Sequence, residues 1–226
     1  MTLPEWLQPL ADQVPVVKAE HFSRFLPPAT GGRHSAVLIL FAEGPDGPDV
    51  LLIERAATLR SHAGQPAFPG GAQDPEDDGP VAAALRESAE EVGLDAETVD
   101  IIGVLPALYL PPSGFVVHPV VAWWRAPHDV APVDAGEVAH VVRVPLADLT
   151  NPDNRFRITH TSGLTGPAFE VKGLVVWGFT AGLLAGLLTL AGWEKPWDQD
   201  RLRELDAETL RLAMQTWDRR ERRADA

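Results

Sequence analysis

Apolar residues fall in short runs cut by turn signals over most of the chain. Ser35–Phe41 (SAVLILF) reads as a buried strand, and GPDGP at Gly44–Pro48 turns it into a partner at Val50–Glu54. His62–Gly79 is dense in glycine, proline and acids, so it reads as a long loop with one short strand at Gln65–Phe68. The period then changes. Val81, Leu85, Ser88 and Val92 share one helical stripe, with Asp78 or Gly79 as the cap, Pro80 at the first position and Gly93 as the stop. Further runs at Ile101–Leu110, Phe115–Trp124 and Val141–Val144 read as strands. Arg155–Thr159 and Ala168–Lys172 read as a hairpin across Thr161–Pro167. Residues 1–33 form a proline-rich helical and loop lead-in. Asp206–Arg222 is an amphipathic helix carrying Leu210, Ala213, Met214 and Trp217 on one face. The order predicts a mixed sheet between helices, in one domain.

The 20 residues Leu174–Trp193 lack a charge and space Gly178, Gly182 and Gly186 four apart, which suits a lone membrane span. The competing reading is a buried strand (Phe169–Trp177) running into a buried helix (Thr180–Ala191). The glycines and the middling hydrophobicity favour that reading, so no membrane partner is expected.

Composition narrows the chemistry. A hydrophobic fraction of 45% and a charged fraction of 23% are those of a globular chain. With no cysteine, thiolate metal sites, cysteine nucleophiles and disulfides are excluded. The N-terminus has no secretory pattern, so a cytoplasmic location is expected. A net charge of −13 argues against nucleic-acid partners. The same charge means that a phosphate substrate needs a bound cation to reverse the local sign.

The segment RESAEEVGL (Arg86–Leu94) offers a place for that cation. Glu87 and Glu91 lie four apart on a helix, with Glu90 beside them and Arg86 able to offset one carboxylate. Three crowded carboxylates at the edge of a buried stripe suit Mg²⁺ or Mn²⁺. Alone, such a run is more often a solvated acidic face. It gains meaning from FPGGAQDPEDDGP (Phe68–Pro80) before it, where Gly70 and Gly71 allow close backbone approach and suit a loop presenting amides to phosphate.

Gly71, Arg86, Glu87, Glu90, Glu91, Gly93 and Leu94 together resemble the Nudix signature, which runs Gly, five residues, Glu, seven residues, then Arg-Glu-apolar-any-Glu-Glu-any-Gly-apolar. Asp78 stands in place of the first Glu, one residue late, and Ser88 replaces an apolar residue. Leu51–Gly71 (LLIERAATLRSHAGQPAFPGG) is similar to the block marking the coenzyme A pyrophosphatase branch. It shares Leu51, Leu52, Arg55, Ala56, Arg60, Gly64, Phe68, Pro69, Gly70 and Gly71, with Ile53 in place of threonine. That branch also has the extra loop residue and an Asp, as at Asp78. The likeness covers residues 34–190.

The resemblance implies a Nudix-type α/β/α sandwich of the α+β class, with its catalytic domain at residues 34–194, a lead-in at 1–33 and a C-terminal helix within 195–226 packed on the same domain. It implies metal-dependent hydrolysis of the pyrophosphate bond of coenzyme A, or of its acylated or oxidised forms, to 3′,5′-ADP and 4′-phosphopantetheine. Expected metal ligands are Glu87, Glu90 and Glu91, with Arg86 orienting a helix carboxylate. Glu137, in the acidic loop Asp134–Glu137, is the expected further ligand or base, while His118 and His160 fit structural roles better. Arg55, Arg60, His62, Gly64, Phe68, Pro69, Gly70 and Gly71 are expected to contact substrate. Guanidinium groups suit the 3′-phosphate and diphosphate. Competing readings are a Nudix enzyme for ADP-ribose, dinucleotides or nucleoside triphosphates, and an inactive Nudix-fold binding module.

Overall fold

The computed structural model describes residues 2–23, 25–28, 31–59, 62–110, 114–159 and 165–205. The expected helix at Asp206–Arg222 lies outside these. So do Arg60 and His160.

Short helical turns and α1 (Gln8–Gln13) precede β1 (Arg33–Gly44). A tight turn at Pro45–Asp46 joins β1 to β2 (Gly47–Arg55), as the GPDGP signal predicts. Then come β3 (Pro66–Ala67), β4 (Gly70–Ala72), α2 (Gly79–Val92), β5 (Val99–Val104), β6 (Leu108–Leu110) and β7 (Phe115–Trp124). They are followed by β8 (Val138–Pro145), α3 (Leu146–Thr150), β9 (Arg155–Thr159), β10 (Thr165–Val171), β11 (Leu174–Val176), α4 (Gly178–Leu190) and β12 (Leu202–Arg203).

The main sheet is mixed. β1 runs parallel to β7, with Arg33 opposite Phe115 and Phe41 opposite Trp123, and the other pairings are antiparallel. A parallel pair needs a long crossover, and the segment carrying α2 supplies it. β1 shows why its sequence is a near-continuous apolar run: both of its faces are buried. Leu38, Leu40 and Ala42 pack with Ala83, Ala84 and Val92 of α2. Ile39 and Phe41 pack on the other side with Leu7, Leu10, Leu183 and Leu187. The sheet therefore lies between α2 and the α1–α4 layer, the expected sandwich. Trp6 fastens the lead-in to the core, with ring centroids 6.3 Å from Phe41, 6.0 Å from Trp123 and 5.7 Å from Trp193.

Several expectations need correction. The run Ile101–Leu110 is two strands, β5 and β6, broken at Leu105–Ala107. Phe169–Trp177 is not one strand: Lys172 and Gly173, both at positive φ, fold it into β10 and β11. A second sheet, β11-β10-β9-β12, was not anticipated. In it the described part of residues 195–226 contributes a strand, β12, parallel to β9. α4 is 13 residues long, and among the described residues no helix is long and apolar enough to cross a membrane.

Candidate active site

β1 and β2 pair only near their shared turn, from Phe41 opposite Val50 to Gly44 opposite Gly47. Beyond that they part. β3 pairs with β2 and β4 pairs with β1, so Pro66–Ala72 fills the gap between them. Phe68 anchors this insertion from behind. It is 2% exposed and belongs to the core on the α4 side. The carbonyl of Pro69, itself buried, accepts from Leu38 N at 2.8 Å. The structure thus corrects two substrate-contact expectations: Phe68 and Pro69 hold the loop in place and do not line it.

The two glycines matter for different reasons. Gly70 has φ +149°, and a Cβ there would stand 2.2 Å from the Ala36 carbonyl oxygen. Only glycine fits that position. At Gly71 a Cβ would stand 2.3 Å from a carboxylate oxygen of Glu87. The Gly70 amide donates to Glu91 Oε2 at 2.9 Å. The loop was expected to offer amides to phosphate. Gly70 instead gives its N–H to Glu91, and the missing side chain of Gly71 makes room for Glu87.

α2 delivers these carboxylates because its buried stripe is rotated from the expected one. Ala84, Ser88, Glu91 and Val92 are buried, while Val81 and Leu85 are only partly so. Glu91 thus sits inside the stripe, with its side chain 6% exposed. Ser88, where the signature has an apolar residue, satisfies its hydroxyl by donating to Ala84 O at 2.7 Å. Pro80 occupies the second helical position, Asp78 precedes the helix without a side-chain cap, and Gly93 ends it at φ +71°.

Burial raises the pKa of Glu91 to about 7. The Gly70 amide and Arg55 oppose the rise, and Glu87 and Glu137 add to it. Burial also raises that of Glu87, against the hydrogen bond from Arg86. Arg55 Nη1 lies 3.5 Å from Glu91 Oε1, and its buried Nε has no hydrogen-bond partner. Two desolvated carboxylates facing one loop are the oxygen donors that a hard divalent cation takes.

Arg86 does more than the offsetting of one carboxylate expected of it. Its Nη1 donates to Glu87 at 3.0 Å and Glu90 at 3.1 Å. Its Nε and Nη2 form a bidentate pair with Asp77 at 3.0 and 2.9 Å, and Nη2 also reaches the Ala72 carbonyl at 3.0 Å. This pairing lowers the Asp77 pKa and raises that of Arg86. Sequence reasoning missed Asp77, because the run Glu76-Asp77-Asp78 does not show which acid folds back.

The picture of three clustered carboxylates also needs correction. The Glu90 side chain is 59% exposed and turned toward Arg86, so Glu87 and Glu91 converge without it. Among the described residues no three His, Asp or Glu side chains already form a metal cage. Gly64 N donates to Arg55 O at 3.0 Å, and His62 Nδ1 lies 3.0 Å from Gln65 Oε1, so both shape the loop after β2. The Glu137 carbonyl accepts from Ala56 N at 2.8 Å, fixing that acidic loop beside the end of β2. His118 is half-buried and sits 3.0 Å from His34 Nδ1.

Comparison with known proteins agrees with this geometry. Residues 32–161 match the NUDIX domain family. The chain is 43% identical over 169 residues to the uncharacterized Nudix hydrolase NudL of Cronobacter sakazakii, covering 73% of this chain and 85% of the relative. It is 39% identical over 171 residues to the Salmonella paratyphi B protein of the same name, covering 71% and 83%. A Nudix hydrolase from M. smegmatis, RenU, shares the fold with a TM-score of 0.52 at 22% identity, over 75% of this chain and 92% of that one. The residues around Gly70, Gly71, Arg86, Glu87 and Glu91 are thus set in the framework of a known hydrolase family, and the chain belongs to the Nudix hydrolases.

Proposed function

We propose that this Nudix hydrolase cleaves the pyrophosphate bond of coenzyme A, or of an acylated or oxidised form, to give 3′,5′-ADP and 4′-phosphopantetheine. Mg²⁺ or Mn²⁺ is the proposed cofactor, held by Glu87 and Glu91, with Glu90 recruited from Arg86. The observation that carries the reading is the position of Arg55. A guanidinium from the block Leu51–Gly71 stands 3.5 Å from the buried Glu91 carboxylate, at the loop the two carboxylates share. In a chain of net charge −13, a guanidinium at this position supports the reading of Arg55 as a phosphate-binding fork. The Gly64 and Gln65 contacts to the Arg55 backbone hold it there.

The residues divide the work. Glu87 and Glu91 fix the ion, which when bound neutralises diphosphate charge and lowers the pKa of a coordinated water. Arg86, clamped by Asp77, sets the position of Glu87. Glu137, close enough to add to the raised pKa of Glu91, takes the proton as water oxygen bonds to phosphorus and the P–O–P bond breaks. Arg55 and Arg60 bind the phosphates, and the 3′-phosphate draws most on Arg60.

Hydrolysis measured by chromatography across CoA, ADP-ribose and NADH with Mg²⁺ or Mn²⁺ tests the substrate. CoA is expected to show the highest kcat/KM, and ADP-ribose or NADH exceeding it would overturn the assignment. Arg60→Ala is expected to lose more activity on CoA than on a diphosphate lacking the 3′-phosphate.

A further inference from the structure

The loop between β7 and β8, residues 125–137, is fastened to the end of α2 before it delivers Glu137. A helix leaves its last carbonyls without donors of its own. At the end of α2, Gly93 N and Leu94 N fold back to the carbonyls of Ala89 and Ser88. The β7–β8 loop meets the last two. Val133 N donates to Glu91 O at 3.1 Å, and Ala131 N donates to Val92 O at 3.3 Å. Earlier in the loop, His128 Nε2 accepts from Asp95 N at 3.1 Å. The loop is thus set in register with the residue that carries the buried carboxylate.

The next residue after Val133 is Asp134, and it accepts three amides. Its Oδ1 takes Gly136 N at 2.7 Å, and its carbonyl takes Glu137 N and Val138 N at 3.0 Å each. An aspartate bonded to the amide two residues on fixes a turn without needing a core to pack against. The turn then hands the chain to β2. Glu137 O accepts from Ala56 N at 2.8 Å, and the buried Val138 stands opposite Arg55. The pairing slips in register just there, between Glu54 and Arg55. Such bulges re-aim side chains beside active sites. Glu137 itself is exposed, and among the described residues no hydrogen bond or ion pair holds its carboxylate. Its placing therefore rests on the backbone of the turn.

We propose that Asp134 is a positioning residue, whose carboxylate locks the turn that aims Glu137 at the site of Glu87 and Glu91. This rests on the reading of Glu137 as the group that takes the proton. Asp134 touches no reacting atom. With the turn locked, Glu137 is already ordered when substrate arrives, and rates depend steeply on such placement. Loss of the Asp134 carboxylate acts on kcat and leaves substrate and metal binding alone.

The full-length protein is assayed with Mg²⁺ on whichever of CoA, ADP-ribose and NADH it cleaves fastest. Glu137→Gln is expected to lower kcat at least about 100-fold. Asp134→Ala is expected to lower kcat about tenfold, with KM and the Mg²⁺ requirement unchanged within about twofold. Asp134→Asn keeps an oxygen that accepts the same Gly136 N–H, so it should bring kcat back to within about twofold of wild type. In the Glu137→Gln background, Asp134→Ala should cost nothing further, because one residue acts through the other. Should Asp134→Ala not fold by circular dichroism, Gly136→Ala is expected to give the same loss in kcat alone, since its Cβ would crowd Asp134 Oδ1 at 3.1 Å. The proposal is overturned if the folded variant keeps wild-type kcat while Glu137→Gln is slow, if KM or the Mg²⁺ requirement rises instead, if Asp134→Asn fails to restore the rate, or if the two losses add in the double variant. Wild-type kcat in Glu137→Gln overturns the role of Glu137 itself, and the positioning role with it.

Discussion

Glu91 is a carboxylate placed where the fold disfavours its charge. Its pKa of about 7 in the folded chain compares with about 4.3 for a free glutamate. Folding therefore takes up a proton between these pH values. Without metal, the stability this group contributes is fully present below about 4.3 and is lost as the pH rises through 7. Chemical denaturation of the metal-free protein should show a gain on the order of 2 kcal/mol from pH 7.5 to pH 5, which Glu91→Gln removes. Mg²⁺ must displace that proton, so its affinity should rise with pH over the same range. Glu91→Gln should also lower kcat at least about 100-fold, the scale of losing a group that stabilises developing charge. The two glycines should separate stability from activity. Gly70→Ala forces a Cβ onto the Ala36 carbonyl and should cost several kcal/mol of stability. Gly71→Ala meets the end of a side chain, so it should displace Glu87 and lower activity with a smaller shift in Tm.

At the scale of elements, the site depends on the insertion of β3 and β4 between β1 and β2. Phe68 is the peg of that insertion. Phe68→Ala should cost about 3–5 kcal/mol, as for other large core truncations, and should lower activity by loosening Gly70 and Gly71. Thermal unfolding and kcat of the one variant check both effects. Much of this was legible beforehand. Pro80, Gly93 and the stripe between them predicted α2, and the turn signals predicted β1, β2 and β7. The rotation of α2 was hidden, because Ala83 and Ala84 carry a weaker hydrophobic signal than Val81 and Leu85 yet are the fully buried ones in the cluster shared with β1. Asp77 was invisible because local sequence does not say which acid in a run meets a distant guanidinium. Phe68 and Pro69 were expected contacts through the resemblance of Leu51–Gly71 to a family block, and only the topology shows that both are buried. β12 and the split of β10 from β11 depend on pairings that no local period encodes.

Over the whole molecule, charge and metal act together. A chain of net charge −13 repels an anionic substrate at long range, and Arg55 alone cannot cancel that field. Removing divalent ions with EDTA should abolish hydrolysis, and adding back Mg²⁺ or Mn²⁺ should restore it. Binding of a non-hydrolysable diphosphate analogue to the wild-type protein, followed by calorimetry, should weaken on the same treatment. The parallel pairing of β1 with β7 has a further consequence, for the order of events during folding. Every residue from Arg55 to Glu91 lies in the chain between those two strands, so docking them closes a loop that contains the entire catalytic segment. Closing so long a loop is entropically costly and slow. The step that closes the parallel pair is therefore also the step that fixes the metal-binding segment, while Glu137 is still to come from the chain beyond β7. A ribosome-bound chain ending before Phe115 would carry every acidic ligand and no working centre.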